Sequence, residues 1–212
     1  MKKIIVLIAV VLLLASCTPP ELPELPSSKV YDYRGPLLDP DDAPENSIKG
    51  IQEIDIDTYS LEVFGFVDIP QTLTYQQVLS LTSYQKTVAL YCVEGWSVSF
   101  DWEGVLITDI IDLAGIGDEA VTVIFHAADG YTTSLPLYVV QERQMLLAYR
   151  ANDDVLTPRW GYPFIVVAED RLGYKWARWV TGIELSDDPE YQGFWESRGY
   201  DNDAKRVPED TR

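Results

Sequence analysis

One segment of the chain carries most of the fold assignment: Leu90-Tyr91-Cys92-Val93-Glu94-Gly95-Trp96-Ser97, which Trp102-Glu103-Gly104 follows a few residues later. Cys92 lies here among apolar and aromatic neighbours, a setting that raises the pKa of a thiol. We therefore expect Cys92 to be partly buried and unreactive as a free thiol. Taken alone, Cys92 is either a small buried hydrophobe or a functional thiol in an exported protein.

Short strands outnumber short helices on both sides of this segment. Apolar patterning predicts strands at 87–92, 121–127, 164–168 and 174–180, the last two around a turn at Gly173. Asp129-Gly130 predicts a hairpin turn that returns through Tyr131 to Leu135. Thr74 and Gln77 have the spacing of a capping box, and Thr108 is expected to cap a helix that ends at Gly115. The fold class is therefore α+β in a single domain, rich in β-strands and with short helices.

The N-terminus has the pattern of an exported lipoprotein. Lys2 and Lys3 precede twelve apolar residues, Ile4 to Ala15, which is shorter than the about 20 that span a bilayer. The run ends in Leu14-Ala15-Ser16-Cys17, which resembles the lipobox of bacterial-type lipoproteins. The resemblance implies lipid on Cys17 and attachment to the outer face of the cell membrane or in the periplasm. An ordinary signal peptide followed by an unrelated cysteine is the alternative.

Composition divides the remainder into a tether and a domain. Residues 18–45 are rich in proline and acidic residues, which favours an extended tether, and we expect the domain to occupy residues 46–212. The formal net charge of −18 argues against nucleic acid and against peripheral binding to anionic lipid.

Residue counts exclude most familiar catalytic sets. His126 is the only histidine of the sequence, and no G-x-S-x-G motif accompanies it. The chain also lacks the four Cys or His ligands of a structural zinc site and a C-x-x-C-H haem motif. His126, inside a strand pattern, is expected to be structural.

Several downstream segments combine with the Cys92 stretch into an ordered set of motifs. Together they resemble the sulfite oxidase superfamily of molybdopterin-binding oxidoreductases, most closely its periplasmic methionine-sulfoxide reductase branch, from about residue 55 to about residue 202. The segments are Asp129-Gly130-Tyr131-Thr132-Thr133-Ser134-Leu135, Gly161-Tyr162-Pro163, Gly173-Tyr174-Lys175, Ile183-Glu184-Leu185 and Gly193-Phe194-Trp195-Glu196-Ser197-Arg198-Gly199-Tyr200.

The resemblance implies a sulfite-oxidase-type fold, a molybdenum–molybdopterin cofactor and a set of site residues. It makes Cys92 the metal ligand and catalytic residue, and a thiolate is chemically suited to high-valent molybdenum. It places Trp176, Ala177 and Arg178 on the segment that contacts the pterin phosphate, with Lys175 as a second nearby cation. Without the resemblance, both cations are as well explained by a solvated strand face.

Two positions depart from the family pattern. The family has histidine and arginine where this chain has Trp160 and Ile165, and its asparagine-rich N-terminal cofactor segment is not evident here. Two functions therefore remain open. The first is a membrane-anchored molybdopterin-dependent oxidoreductase that transfers oxygen atoms to or from a small sulfoxide- or sulfite-like substrate, with a separate membrane or haem protein as electron partner. The second is a non-catalytic lipoprotein that uses the same fold to bind a ligand or partner.

Overall fold

The structure is a computed structural model that describes residues 36–206, so Cys17 and most of the predicted tether lie outside the described residues. Within this range the chain forms ten strands and three short α-helices. None of the helices in residues 36–206 is long and apolar enough to cross a membrane. The strands are β1 (Leu61–Gly65), β2 (Gln71–Leu73), β3 (Ser83–Tyr91), β4 (Ser97–Leu106), β5 (Thr122–Ala127), β6 (Thr132–Pro136), β7 (Leu146–Ala151), β8 (Asp154–Val155), β9 (Ile165–Val167) and β10 (Val180–Ser186), and the helices are α1 (Tyr75–Leu79), α2 (Ile107–Ala114) and α3 (Leu137–Glu142).

The strands form two sheets. One has the order β2-β1-β10-β5-β6, and the other has the order β3-β4-β7-β8 with β9 also paired to β7. The pair β1–β10 is parallel and the other strand pairs are antiparallel. Buried side chains of both sheets and of the helices form one apolar core. The predicted α+β class, β-rich with short helices, is confirmed.

The hairpin β3–β4 is the longest paired element and supports the Cys92 segment. Its register runs from Ser83 opposite Val105 to Tyr91 opposite Ser97. Trp102 is fully buried, and its indole N–H donates to the Val88 carbonyl at 3.0 Å. Gly104 is required because a Cβ atom there would lie 2.4 Å from the Leu147 carbonyl oxygen of β7. The Trp102-Glu103-Gly104 motif therefore serves packing between β4 and its neighbours.

The hairpin predicted at Asp129-Gly130 is confirmed. Strands β5 and β6 pair in antiparallel register, and Asp129 Oδ1 accepts a hydrogen bond of 2.9 Å from the Tyr131 amide. Gly130 has φ of 84°, in the left-handed region that glycine adopts without strain. The turn chemistry is thus local, which is why the sequence predicts it.

The predicted helices are confirmed with one shift. Thr74 and Gln77 form the capping box of α1. Helix α2 ends at Gly115 as expected but begins at Ile107, one residue before the expected Thr108 cap. Strand β4 leads directly into α2, and the Ile107 amide donates to the Met145 carbonyl at 3.0 Å. The Met145 carbonyl thus accepts from the first amide of the helix, which a capping side chain would otherwise have to do.

The strand predicted at 174–180 is wrong. Gly173–Lys175 is a 3₁₀ turn, and β10 begins only at Val180. The Trp176 amide donates to the Gly173 carbonyl at 3.1 Å, within the turn. The apolar residues of this segment either pack in the core or line a cavity. Their pattern therefore reflects a buried loop and not a strand.

Residues 36–48, which we call the N-terminal strap, pack against the domain. The Leu38 amide donates to the Ser97 carbonyl at 2.8 Å, the Ser97 amide donates to the Pro36 carbonyl at 3.1 Å, and Ala43 is buried. The predicted tether, residues 18–45, overlaps this strap at residues 36–45. Proline favours an extended chain, and here that chain pairs with the first residue of β4.

Candidate functional site

A cavity of about 380 Å³ opens where the β3–β4 hairpin turns. Its wall is built from the N-terminal strap, the turn after β3, the β5–β6 turn, strand β9, the 3₁₀ turns at Pro158–Trp160 and Gly173–Lys175, and the C-terminal region. The residues that line it include Glu45, Asn46, Cys92, Glu94, Trp96, Asp129, Tyr131, Arg159, Trp160, Ile165, Tyr174, Trp176, Arg178, Trp179, Trp195 and Tyr200.

Cys92 is positioned by the hairpin turn itself. It directly follows β3, its amide donates to the Trp96 carbonyl at 2.9 Å, and the Gly95 amide donates back to the Cys92 carbonyl at 3.1 Å. Gly95 has φ of 90°, which closes this turn without strain. The side chain of Cys92 is buried, with 8% of the residue exposed, and lines the cavity. The Cys-Val-Glu-Gly-Trp motif is therefore a rigid turn that presents one thiol to the cavity.

Asn46 of the strap lies beside this thiol. Its side-chain amide nitrogen is 3.8 Å from Cys92 Sγ and donates to Glu94 Oε2 at 3.1 Å. The Trp96 indole N–H donates to the same Glu94 oxygen at 3.1 Å. Glu94 thus orients both side chains at one edge of the cavity.

The protonation of Cys92 depends on opposing influences. Burial raises the pKa of the thiol, and the nearby Glu94 carboxylate acts in the same direction. Hydrogen bonds from the Glu94 and Val93 amides and from the Asn46 side chain lower the pKa of the thiol and so favour the thiolate. Hydrogen bonds from Trp96 and Asn46 lower the pKa of Glu94. The hydrogen-bond donors thus favour a thiolate that burial alone would disfavour.

Arg178 brings a cation to the cavity wall. Its guanidinium donates to the Arg159 carbonyl at 2.8 Å and pairs with Glu45 Oε1 at 2.7 Å. The Arg159 side chain, which also lines the cavity, donates to the Ala43 carbonyl of the strap. Burial lowers the pKa of the Arg178 guanidinium, and the Glu45 carboxylate opposes this shift. Two guanidinium groups therefore face one cavity and hold the strap.

Trp179 follows Arg178 in an uncommon backbone conformation. Its φ is 53°, in the left-handed region that a bulky residue rarely adopts. Its indole N–H donates to the Pro158 carbonyl at 2.7 Å, and the Arg178 guanidinium lies 4.5 Å from its ring centre. Such strained residues persist where the surroundings hold them in place, often at functional sites.

The structure separates the residues that the resemblance assigned to the phosphate contact. Trp176 and Arg178 line the cavity, whereas Ala177 is buried, its carbonyl accepting from the Val166 amide at 2.9 Å. The Lys175 ammonium is fully buried, 2.6 Å from Glu196 Oε1 and 2.9 Å from the Ser134 carbonyl. Lys175 is absent from the residues that line the cavity, so its assignment as a second cation of that cavity is not supported.

Three aromatic rings of the cavity wall contact one another, and a fourth aromatic residue, Tyr131, is hydrogen-bonded to this group; the sequence analysis gave none of the four a role in the site. The Trp195 and Tyr200 rings lie 5.1 Å apart, and the Tyr200 ring lies 5.3 Å from that of Tyr174. The Tyr131 hydroxyl donates to the Tyr174 carbonyl. All four residues lie in motifs quoted in the sequence analysis, so those motifs could have pointed to them. No motif pointed to Glu45 or Asn46, because Glu45 is the last residue of the predicted tether and Asn46 the first residue after it.

His126 lies apart from the residues that line the cavity. Its Nε2 atom is 2.8 Å from Glu184 Oε2 on the neighbouring strand β10, and both side chains are half-buried. The structure therefore places His126 in a hydrogen bond between neighbouring strands, as expected of a structural histidine.

Comparison with known families identifies the chain. The family described as "Oxidoreductase molybdopterin binding domain" matches residues 48–195. The chain belongs to this family. The predicted resemblance is thereby confirmed, and the match includes Cys92 and the cavity residues from Ile48 to Trp195.

Individual relatives agree with this assignment. The chain is 38% identical over 147 residues to the "Uncharacterized oxidoreductase YuiH" of Bacillus subtilis, covering 69% of this chain and 74% of that protein. It is 30% identical over 151 residues to the "Putative protein-methionine-sulfoxide reductase subunit YedZ1" of Azospira oryzae, covering 71% of this chain but 57% of that protein. It is 27% identical to the mitochondrial sulfite oxidase of Drosophila melanogaster, of which it spans 30%.

A solved structure shows the same fold. The sulfane dehydrogenase SoxCD from Paracoccus pantotrophus superposes with a TM-score of 0.63 at 21% identity, covering 66% of this chain and 41% of that chain. This likeness supports the sulfite oxidase-like fold.

The residues present fit a molybdopterin group. The cavity volume of about 380 Å³ lies within the range of small-molecule sites. Cys92 supplies a soft ligand with hydrogen-bond donors around it, and Arg159 and Arg178 supply cations for an anionic group. No group of three or more His, Cys, Asp or Glu side chains in residues 36–206 could hold a metal ion by itself.

The two departures from the family pattern both line the cavity. Trp160 packs on Phe100 with ring centres 4.7 Å apart, and Ile165 is fully buried in β9. They replace a histidine and an arginine by apolar surface. Arg159 is adjacent to Trp160 and places its own guanidinium at the cavity wall, where it holds the strap.

Proposed function

We propose that this protein is a molybdopterin-dependent oxidoreductase that transfers an oxygen atom, with two electrons, to or from a small sulfoxide- or sulfite-like substrate. One observation carries the proposal: the Cys92 thiol lines the cavity and is surrounded by hydrogen-bond donors, with two guanidinium groups in the same wall. The family membership and the sulfite oxidase and methionine-sulfoxide reductase relatives support the chemistry.

Each part of the site has a defined task in this proposal. Cys92 would hold the metal as a thiolate, which the Asn46 amide and the backbone amides of its turn would stabilise. Arg178 and Arg159 bind anionic groups of the cofactor or the substrate. When bound, the molybdenum cofactor supplies the oxygen-atom transfer itself, while the protein positions it and controls access.

The aromatic wall restricts access to the reacting centre. Trp96, Trp195 and Tyr200 line the cavity together with Cys92, which is largely buried. Apolar rings exclude water from the thiol and offer a surface for the carbon substituents of a sulfoxide.

The proposal extends to the location and electron supply of the protein. The lipobox-like Leu14-Ala15-Ser16-Cys17 supports a lipid anchor on Cys17 and a position at the outer face of the cell membrane or in the periplasm. The sequence has no C-x-x-C-H haem motif, which supports a separate membrane or haem protein as the electron partner.

A second candidate function rests on Trp160 and Ile165. Their apolar side chains occupy part of the wall where the family has a histidine and an arginine. A cavity with weaker hold on the cofactor suits a non-catalytic lipoprotein that binds a ligand or partner.

Metal analysis separates the two candidates. Wild-type protein purified from a host that makes molybdopterin is expected to contain molybdenum and to reduce a sulfoxide such as dimethyl sulfoxide with reduced methyl viologen as donor. Cys92→Ser removes the soft sulfur ligand but keeps the side chain nearly the same size. Molybdenum content and sulfoxide reduction should both be lost, while the free energy of unfolding falls by only about 1 kcal/mol. Wild-type protein without molybdenum, and with properties that Cys92→Ser leaves unchanged, contradicts the enzyme and supports the binding module.

A further inference from the structure

The last described residues of the chain pack against the end of β3, immediately before Cys92. The central carbon of the Arg206 guanidinium lies 3.6 Å from the centre of the Tyr91 ring, and only 8% of Arg206 is exposed. Tyr91 is the final residue of β3 and pairs with Ser97 across the hairpin. A cation that is shielded from water binds an aromatic face more strongly than an exposed one does. Arg206 therefore holds the residue from which the Cys92 turn begins.

Residues 203–206, which we call the C-terminal clamp, are held in place by their backbone. The Leu172 amide donates to the Ala204 carbonyl at 3.0 Å, and the Arg206 amide donates to the Asp170 carbonyl at 3.1 Å. Ala204 is buried and has φ of 49°, a left-handed conformation that a residue other than glycine keeps only where its surroundings hold it. The clamp therefore has a defined position on the protein.

Residues 170–173 contact both the clamp and the hairpin. Leu172, whose amide bonds to the clamp, also forms a parallel bridge with Tyr91. A Cβ atom on Gly173 would lie 3.4 Å from the Tyr91 carbonyl oxygen and 3.7 Å from Cys92 Cα. These are van der Waals distances, so this segment packs directly on the backbone of the turn. The clamp, the segment and the hairpin are thus in mutual contact around Tyr91.

We infer that Arg206 is a positioning residue for the Cys92 thiol: by stacking on Tyr91 it holds the end of β3, and with it the turn that presents Cys92 to the cavity. The inference rests on the proposed function, in which this thiol would hold the metal. Two backbone hydrogen bonds close the turn, from the Cys92 amide to the Trp96 carbonyl and from the Gly95 amide to the Cys92 carbonyl. Both begin one residue after Tyr91, so they open more often when the end of β3 moves.

The site needs such support because Cys92 lies in a turn. A functional side chain has to be held within about 0.5 Å of its productive position, and the residues packed behind it provide that precision. Arg206 is absent from the residues that line the cavity. It therefore acts on the thiol through Tyr91 and not by touching a ligand.

The test measures hydrogen exchange in residues 90–97 of the full chain, purified from a host that does not make molybdopterin. Arg206→Ala should raise exchange in this segment about five- to thirtyfold, the range that loss of a shielded cation–aromatic contact implies. Tyr91→Leu removes the ring from the same contact and should raise exchange at least as much. Adding Arg206→Ala to Tyr91→Leu should raise it no further, because both substitutions remove one contact.

Matched variants separate this contact from a general loosening of the protein. Arg198→Ala removes an arginine that lies at the same distance, 3.6 Å, from the Phe194 ring, and should leave exchange in residues 90–97 at the wild-type level. Tyr91→Phe keeps the ring and should stay closer to the wild type than Tyr91→Leu. Arg206→Lys keeps the cation and should restore part of the protection that Arg206→Ala loses. Where Arg206→Ala does not fold, Tyr91→Leu and Arg206→Lys test the same contact.

Three outcomes overturn the inference: unchanged exchange in Arg206→Ala, an effect of Arg206→Ala that persists in full on top of Tyr91→Leu, or an equal effect of Arg198→Ala. A second readout is the molybdenum that loaded protein retains after dialysis, which should fall in Arg206→Ala and recover in Arg206→Lys. Retention that Arg206→Ala leaves unchanged also overturns it. The exchange assay needs no molybdenum, so wild-type protein without the metal would contradict the proposed function and leave the exchange result standing.

Discussion

The side-chain amide of Asn46 lies 3.8 Å from Cys92 Sγ, although the two residues are 46 positions apart in the sequence. The same amide donates to Glu94 Oε2 at 3.1 Å, so one residue of the N-terminal strap joins both the thiol and the carboxylate of the hairpin turn. The thiol chemistry of the cavity is consequently coupled to the position of the strap.

Substitutions of Asn46 and Glu94 should move the pKa of Cys92 in opposite directions. Asn46→Ala removes a hydrogen bond that lowers the pKa, so the pH midpoint of thiol alkylation should rise. Glu94→Gln removes a negative charge that raises the pKa, so the midpoint should fall. The measurement is the iodoacetamide rate against pH on cofactor-free protein, read by mass spectrometry on the peptide that contains Cys92.

The midpoint, and not the rate at one pH, is decisive because easier access would raise the rate at every pH. Asn152→Ala is the matched control, since its side chain accepts the Asp101 amide at an exposed site outside the cavity lining. It should leave the midpoint where the wild type has it. Midpoints that shift in the same direction for Asn46→Ala and Glu94→Gln would show that these contacts do not set the thiol pKa.

Removing one partner of the buried Lys175–Glu196 ion pair should destabilise the protein more than replacing both partners. Lys175→Met leaves the Glu196 carboxylate buried without its cation, although the Thr133 hydroxyl still donates to it at 2.6 Å. Breaking such a pair costs about 3–5 kcal/mol of unfolding free energy. The double variant Lys175→Met/Glu196→Leu should recover a large part of that loss, as measured by urea unfolding. If the double variant is no more stable than Lys175→Met, the loss of stability comes from altered packing and not from the unpaired Glu196 carboxylate.

Restoring the two family side chains should strengthen the hold on the cofactor. Both Trp160 and Ile165 line the cavity, so Trp160→His and Ile165→Arg together add a donor and a cation to its wall. We expect more molybdenum per protein after prolonged dialysis, at a stability cost of about 1–3 kcal/mol. Trp160→Phe, which keeps an aromatic ring and adds no donor, is the control. Unchanged retention in the restored variant would favour the non-catalytic binding module.

The lipid anchor makes a prediction outside the described residues. Cys17→Ala removes the thiol that the lipobox-like sequence offers for lipid, so the variant should appear in the soluble fraction and carry no labelled fatty acid. Ser16→Ala keeps the cysteine and a small residue before it, and should stay with the membrane. Incorporation of label into Cys17→Ala would contradict the assignment.

Local patterns were sufficient for much of the fold. The Asp129-Gly130 turn and the Thr74–Gln77 capping box are made by side chains that bond to their own neighbourhood, and both are present as predicted. The segment 174–180 was misread because its buried residues belong to a turn and a cavity wall. Burial by distant parts of the chain gives an apolar pattern similar to that of a strand.

The sequence alone determined the family, the α+β class and the thiol on which the site depends, because these follow from ordered motifs and from short-range hydrogen bonding. Only the tertiary structure decided which side chains meet at that thiol. It brought Asn46 and Glu45 from a proline-rich segment into the cavity, and it buried Lys175 against Glu196 while leaving Arg178 in the wall. The direction of a side chain in an irregular segment depends on its long-range partners, and those partners have no fixed spacing in the sequence.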